Sequence, residues 1–256
     1  NNTFGTIFHA VLENIYKPFN GQIVNSSDLD ELIKNKLNIE REIKRAFAKE
    51  FFKRKNDENI TLEGNLLLIY NVIQKYVIKL LNSDKNRTPF KYVESEKRCH
   101  IRFPFSEGEV NFKGFIDRVD EKDGHVHIID YKTGAGSLDF KNLDDVFNPE
   151  NEKRPKYVLQ TFLYGLLYKQ YAEGKTMIPG IYYIRNLFGK DFDIYLHHKP
   201  DKNMNNTVDD FGVYEAEFSE KLRQCIDEIF DPTVPFGQTK VEKNCEYCQY
   251  KAICNR

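Results

Sequence analysis

Two short stretches carry residues that could act together: Gly114-Phe115-Ile116-Asp117-Arg118-Val119-Asp120 and His127-Ile128-Ile129-Asp130-Tyr131-Lys132-Thr133-Gly134. The second alternates and is rich in β-branched residues, which predicts a strand ending at Gly134. Residues two apart on a strand share a face, so Asp130 and Lys132 point the same way. Glu121-Lys122-Asp123-Gly124 reads as a hairpin turn that would bring Asp117 close to Asp130. Singly, each of these is an ordinary surface charge. Closing an otherwise apolar strand, they serve no purpose in folding. They could serve a chemical one: two carboxylates can hold a divalent ion that polarises a phosphate and acidifies a water. Lys132 can orient that water or stabilise the transition-state charge.

A second cluster closes the chain. Cys245, Cys248 and Cys254 form a C-x2-C-x5-C pattern within a tail taken as 241–256, and cysteines so closely spaced suggest a bound metal. Cys99, mid-strand, and Cys225, in an apolar helical stretch, read as structural thiols.

Near the start of the chain, Phe8, Val11, Leu12 and Ile15 make an apolar stripe that predicts a helix over residues 3–16. His9 lies off that stripe, one turn before Glu13, and on pattern alone is a surface or hydrogen-bonded residue. Amphipathic helical segments follow over 28–55 and 62–81, which together read as a helical insertion at 28–82. Extended segments are predicted at 92–96, 99–105, 110–119 and 126–131. A long polar stretch runs from Gly134 to Pro155, and its length suggests a functional or mobile loop. A helix over 156–171 places Gln160 and Tyr164 on one face. Strands over 178–184 and 192–196, a loop over 197–210 and a helix over 218–229 complete one mixed α/β domain spanning 1–256.

At 256 residues with 40% hydrophobic and 14% aromatic content, the chain can bury a sizeable core and is not disordered. Its apolar runs are too short to span a membrane. The net charge of −1 argues against a general polyanion binder but leaves room for a local basic surface. Five cysteines do not make a secreted disulfide framework, which favours a cytoplasmic location. The first residue is Asn, so the chain is expected to be part of something longer.

Taken in order, these residues resemble the PD-(D/E)XK nucleases, and among them the RecB/AddB-type branch. Gly5-Thr6-Ile7-Phe8-His9 looks like the branch's N-terminal helix motif, whose histidine binds metal. Glu96, with Glu94 open beside it, looks like the acidic residue of the preceding strand. The stretches around Asp117 and Asp130-Tyr131-Lys132 match the motifs of the two aspartates and the lysine, and Gln160-Thr-Phe-Leu-Tyr164 matches a helical Gln-x-x-x-Tyr motif. The resemblance implies a restriction-endonuclease-like mixed sheet flanked by helices, and a DNA exonuclease working in recombinational repair with a helicase domain or subunit. It implies that His9, Asp117, Asp130 and the carbonyl of Tyr131 bind Mg²⁺ or Mn²⁺, with Gln160 and Tyr164 positioning the scissile strand. It also implies that the tail cysteines hold a [4Fe-4S] cluster whose fourth cysteine precedes Asn1. The cluster is therefore not expected intact on these residues alone, and zinc with a substitute ligand is the competing occupant. A catalytically inactive nucleic-acid-binding domain and a cysteine-based redox or metal-storage module are the alternative readings.

Overall fold

The apolar stripe read near the start of the chain lies on helix α1 (Asn2–Tyr16), and its members Phe8, Val11, Leu12 and Ile15 are all buried. The computed structural model describes residues 2–55, 59–189, 192–235 and 237–256. Three more helices pack with α1 against one face of a central sheet. They are α2 (Ser26–Lys34), α3 (Lys36–Ala46) and α4 (Gly64–Lys85). The segment predicted as one helix over 28–55 is broken between α2 and α3, where the Asn35 side chain accepts from the amide of Asn38 and caps α3.

The sheet contains β1 (Gln22–Val24), β2 (Phe90–Phe105), β3 (Gly108–Lys122), β4 (His125–Lys132) and β6 (Met177–Tyr183), in the order β1-β2-β3-β4-β6. Neighbours are antiparallel except β4 and β6, which run parallel. Between them the chain forms β5 (Asp139–Phe140), α5 (Leu143–Phe147) and α6 (Lys156–Tyr168), so the polar stretch predicted as loop carries two short elements. Helices α6 and α7 (Gly212–Phe230) cover the other face. With both faces covered, β4 is buried almost throughout. Val126 and Ile128 face α6 and α7, while Ile129 and Tyr131 face the α1–α4 side. A mixed sheet with helices on both faces is the restriction-endonuclease-like architecture.

The β3–β4 turn is two residues long, and both Asp123 and Gly124 have positive φ, 51° and 81°. That is the geometry matching the right-handed twist of the paired strands. Two strand predictions need revision. Residues 92–96 and 99–105 belong to one strand, β2, with a register shift between Tyr92 and Glu94. The segment predicted as a strand over 192–196 forms only the bridge Gly180↔Tyr195, because the Asp193 carboxylate takes the amides of Ile194 and Tyr195 that a ladder would need. The predicted loop 197–210 in turn supplies β7 (His197–His198) and β8 (Asn206–Thr207), which form a small sheet in the order β5-β7-β8.

A closed set of charges lies beneath the sheet on the α1–α4 side. Arg118 is completely buried and donates from Nε and Nη2 to the two oxygens of Asp120, each at 2.8 Å, and from Nη1 to Asp84 at 2.6 Å. Arg87 bonds the same two acids, and the phenols of Tyr16 and Tyr182 donate to Asp84. Two arginines balance two aspartates, and the Tyr16, Phe90 and Tyr92 rings surround the Arg118 guanidinium. Nothing in the spacing of Arg118 and Asp120 marks them for this role, and nothing in the sequence around Asp84 singles it out. The apolar spacing predicts a helix only to Leu81, short of the last turn of α4 that carries Asp84.

Candidate active site

Strands β3 and β4 pair from Lys122↔His125 to Arg118↔Ile129 and then diverge. At the divergence the Asp117 carboxylate replaces a ladder carbonyl and accepts the Tyr131 amide at 2.7 Å. The carbonyl of the same Tyr131 lies 3.0 Å from His9 Nε2, and His9 Nδ1 lies 3.6 Å from Asp117 Oδ1. Helix α1 therefore sets its histidine across the strand ends, one face of the helix buried and His9 at its margin.

Glu96 reaches the same place through backbone geometry. Its φ of 48° is left-handed, within the rungs Ser95↔Arg118 and Lys97↔Ile116 that flank Asp117 in the β2–β3 ladder. Glu94 is instead ion-paired to Lys97 at 2.7 Å, so of the two glutamates it is Glu96 that stands beside His9 and Asp117. Oxygen and nitrogen atoms of His9, Glu96 and Asp117 all lie within 4.8 Å of one another, and this is the one such group among the described residues. A cleft of about 500 Å³ opens over it, lined in part by Thr6, Glu13, Lys49 and Lys132. A larger cleft of about 970 Å³, between β2 and α7, gathers no such group.

Asp130 and Lys132 share a face, as their spacing requires. Lys132 Nζ donates to Asp130 Oδ1 at 2.8 Å and sits 2.6 Å from Oδ2, bridging both carboxylate oxygens. Asp130 is only 1% exposed, because β4 is sandwiched between helices. Burial, and then the charge of Asp117, push its carboxyl up to about 7. Glu96 is likewise raised to about 7, by burial and then by Asp117. Burial acts to lower His9, but the hydrogen bond to Asp117 and the acids around it outweigh this and raise it. Crowded carboxylates beside an imidazole and a backbone carbonyl are a donor set that a divalent cation fits.

On α6, Gln160 Nε2 donates to the Tyr164 hydroxyl at 2.6 Å. The Tyr164 ring packs under Gly114, where a Cβ would stand 3.5 Å from Tyr164 Cε1 and 3.0 Å from Leu167 Cδ1. The Tyr164 phenol is raised by burial and then by Asp130 and Asp117, so α6 brings it within electrostatic reach of the acids. A model of the PD-(D/E)XK nuclease superfamily matches residues 1–255. The chain belongs to that superfamily. Its members carry nuclease chemistry on divalent metals, and the acids gathered here suit that chemistry. No curated protein matches the chain. Among solved structures, the protein SSO0001 is similar at 13% identity and a TM-score of 0.35, covering 90% of this chain and 84% of that one. That likeness is too loose to inform the site of this nuclease-superfamily chain.

The tail cysteines Cys245, Cys248 and Cys254 are half-buried and free, and they form no comparable single-ion group. Cys99 is fully buried against α6 and α7, as a structural thiol should be, and Cys225 lies on α7. No helix among the described residues is long and apolar enough to cross a membrane.

Proposed function

We propose that this chain is a RecB/AddB-type, divalent-metal-dependent deoxyribonuclease acting as an exonuclease in recombinational DNA repair beside a helicase domain or subunit. The observation that carries the reading is the meeting of His9, Glu96 and Asp117 next to the Asp130–Lys132 pair at the end of β4. His9, Asp117, Asp130 and the Tyr131 carbonyl would hold the ion, with the Glu96 carboxylate within reach of it beside His9 and Asp117. Bound Mg²⁺ or Mn²⁺ supplies charge neutralisation at the phosphate and lowers the pKa of water.

The side chains do the rest. Hydrolysis adds a water oxygen to phosphorus, breaks one P–O ester bond and must deliver a proton to the departing sugar oxygen. Lys132 is oriented by Asp130 and stands over the Tyr157 ring at 4.9 Å, where its ammonium can hold the water and offset charge on the phosphoryl oxygens. Because Gln160 donates to the Tyr164 oxygen, the Tyr164 hydroxyl proton remains available to a substrate phosphate. The tail trio Cys245, Cys248 and Cys254 is assigned to a [4Fe-4S] cluster once a fourth ligand is supplied. The free thiols suit a cytoplasmic, reducing compartment.

The direct test is cleavage of a DNA substrate by the purified protein with Mg²⁺ or Mn²⁺ and with chelator. Cleavage with the ion and none without it is the expected result; binding without cleavage would support the inactive-domain alternative instead. Within that assay, Lys132→Ala should lower the rate by about a hundredfold or more while changing Mn²⁺ affinity little. Titration of Mn²⁺ into both proteins decides this, and a mutant that binds the ion far more weakly makes Lys132 part of the ion's cage.

The ion should also stabilise the fold in a pH-dependent way. Carboxyls raised to about 7 in the fold bind protons that the unfolded chain has already released, so the ion-free protein loses stability as pH rises from about 4 to about 7. An ion held by the deprotonated acids offsets this loss. The increase in Tm on adding Mn²⁺ is therefore expected to be small near pH ~5 and to grow towards pH ~8. A pH-independent increase would place the ion elsewhere.

A further inference from the structure

We propose that the outer arm of the β2–β3 ribbon is a track for the single nucleic-acid strand running out of the candidate site. Phosphates lie along Arg98, Arg102 and Lys113, and a base stacks on Phe115. This rests on the nuclease reading above. Beyond the rungs that hold Glu96 and Asp117, the ladder runs without a shift through Arg98↔Phe115, His100↔Lys113 and Arg102↔Asn111. Alternation buries Cys99, Phe103 and their neighbours against α6 and α7 and leaves those six residues on the opposite, exposed face.

Three features of that face fit one occupant. It carries three permanent cations and a histidine on consecutive same-face rungs, with no carboxylate among them. In a chain of net charge −1, that is a local concentration of positive charge. The nearest acid farther out, Glu109, is 4.0 Å from Arg102 across two exposed side chains, a pair worth little in water. The face also begins at the acids. Phe115 is two residues from Asp117 and Arg98 two from Glu96, and the Arg102–Asn111 rung lies about 20 Å farther along the strand. Finally, Phe115 is 55% exposed. A lone exposed phenylalanine is ordinary, but this one faces out beside Arg98 on the rung of the track nearest the site, where the base next to a cut phosphate would fall. Cations along a backbone path with an aromatic platform recognise single strands, whose bases offer a π-face that a duplex conceals. An acidic protein segment would use the cations but would leave the ring without a partner.

Binding of a single-stranded oligodeoxynucleotide to the full chain, with Ca²⁺ in place of the catalytic ion and salt varied, tests the track. The combined Arg98→Ala, Arg102→Ala and Lys113→Ala variant should bind at least about tenfold more weakly and lower the log–log salt slope by about 2. Asn111→Lys, which adds a cation to the same face, should bind more tightly and steepen the slope by about 0.7. This gain cannot come from misfolding. Phe115→Leu should weaken single-strand binding by about fivefold or more with the slope unchanged. In Mg²⁺ or Mn²⁺ all three effects should appear in KM with kcat retained. A wild type that neither binds nor cuts DNA overturns the function and the track together. A wild type that cuts, with slopes unmoved by both the triple variant and Asn111→Lys, overturns the track alone and leaves the face to a protein partner.

Discussion

Asp130→Asn is expected to reduce Mg²⁺- or Mn²⁺-dependent cleavage by on the order of a thousandfold or more, without weakening the fold at about pH 8. The two halves of that expectation have one cause. Asp130 is buried and its carboxyl is raised to about 7. Above that pH the ion-free protein holds an ionised group that folding disfavours, and the neutral isostere removes it. Lys132 keeps the amide oxygen as an acceptor and is 19% exposed, so it is not left buried and alone. Activity assays and thermal unfolding with and without ion check both halves. Undiminished cleavage, or a Tm lowered by many degrees in the ion-free variant, would remove Asp130 from the role given to it.

The second large effect is on stability. Arg118→Met should cost about 3–5 kcal/mol, because it leaves Asp84 and Asp120 in the interior with Arg87 alone to balance them. The size of the loss reflects stranded acids and not the net value of the original pairs, which burial largely cancels. Asp84 shows the same balance. Burial would raise its carboxyl, but Arg118 and Arg87 hold it below the ordinary range. The stabilisation this provides is present above about pH 4 and is lost as the pH falls further. Urea unfolding at neutral pH measures the substitution, and a loss below about 1 kcal/mol would mean the set relaxes around the gap.

How far the sequence could be read depended on whether a residue's role was local. The stripe of α1, the alternation of β4 and a turn within residues 121–124 are set by neighbours in the chain and are legible. Glu121 and Lys122 prove to close β3, which leaves only Asp123 and Gly124 to turn. The convergence of Asp117 with Asp130 and Lys132 is legible too, because a hairpin and a period of two determine it. Glu96 could not be chosen over Glu94 from the pattern, because its left-handed backbone breaks the alternation on which the choice depends. Asp84 was missed for a different reason. A polar residue in the last turn of a helix looks like a solvated end, and only the fold shows Arg118 arriving from β3 to meet it. The segment 192–196 misled because Asp193 competes locally for the amides that its apolar neighbours suggested would join the sheet. The roles of His9, Gln160 and Tyr164 came from resemblance alone.

Tyr131 makes three bonds that are usually spread over several residues: its amide to Asp117, its carbonyl to His9 and its hydroxyl to Arg118. The first two lie in the candidate site and the third in the buried charge set, so no small backbone fluctuation can release one end without straining the other. In hydrogen–deuterium exchange, the Tyr131 amide should accordingly exchange only through the opening that unfolds the whole sheet, with an opening free energy equal to that of global unfolding. Its protection would then serve as a single-residue gauge of whether the site and the core come apart together.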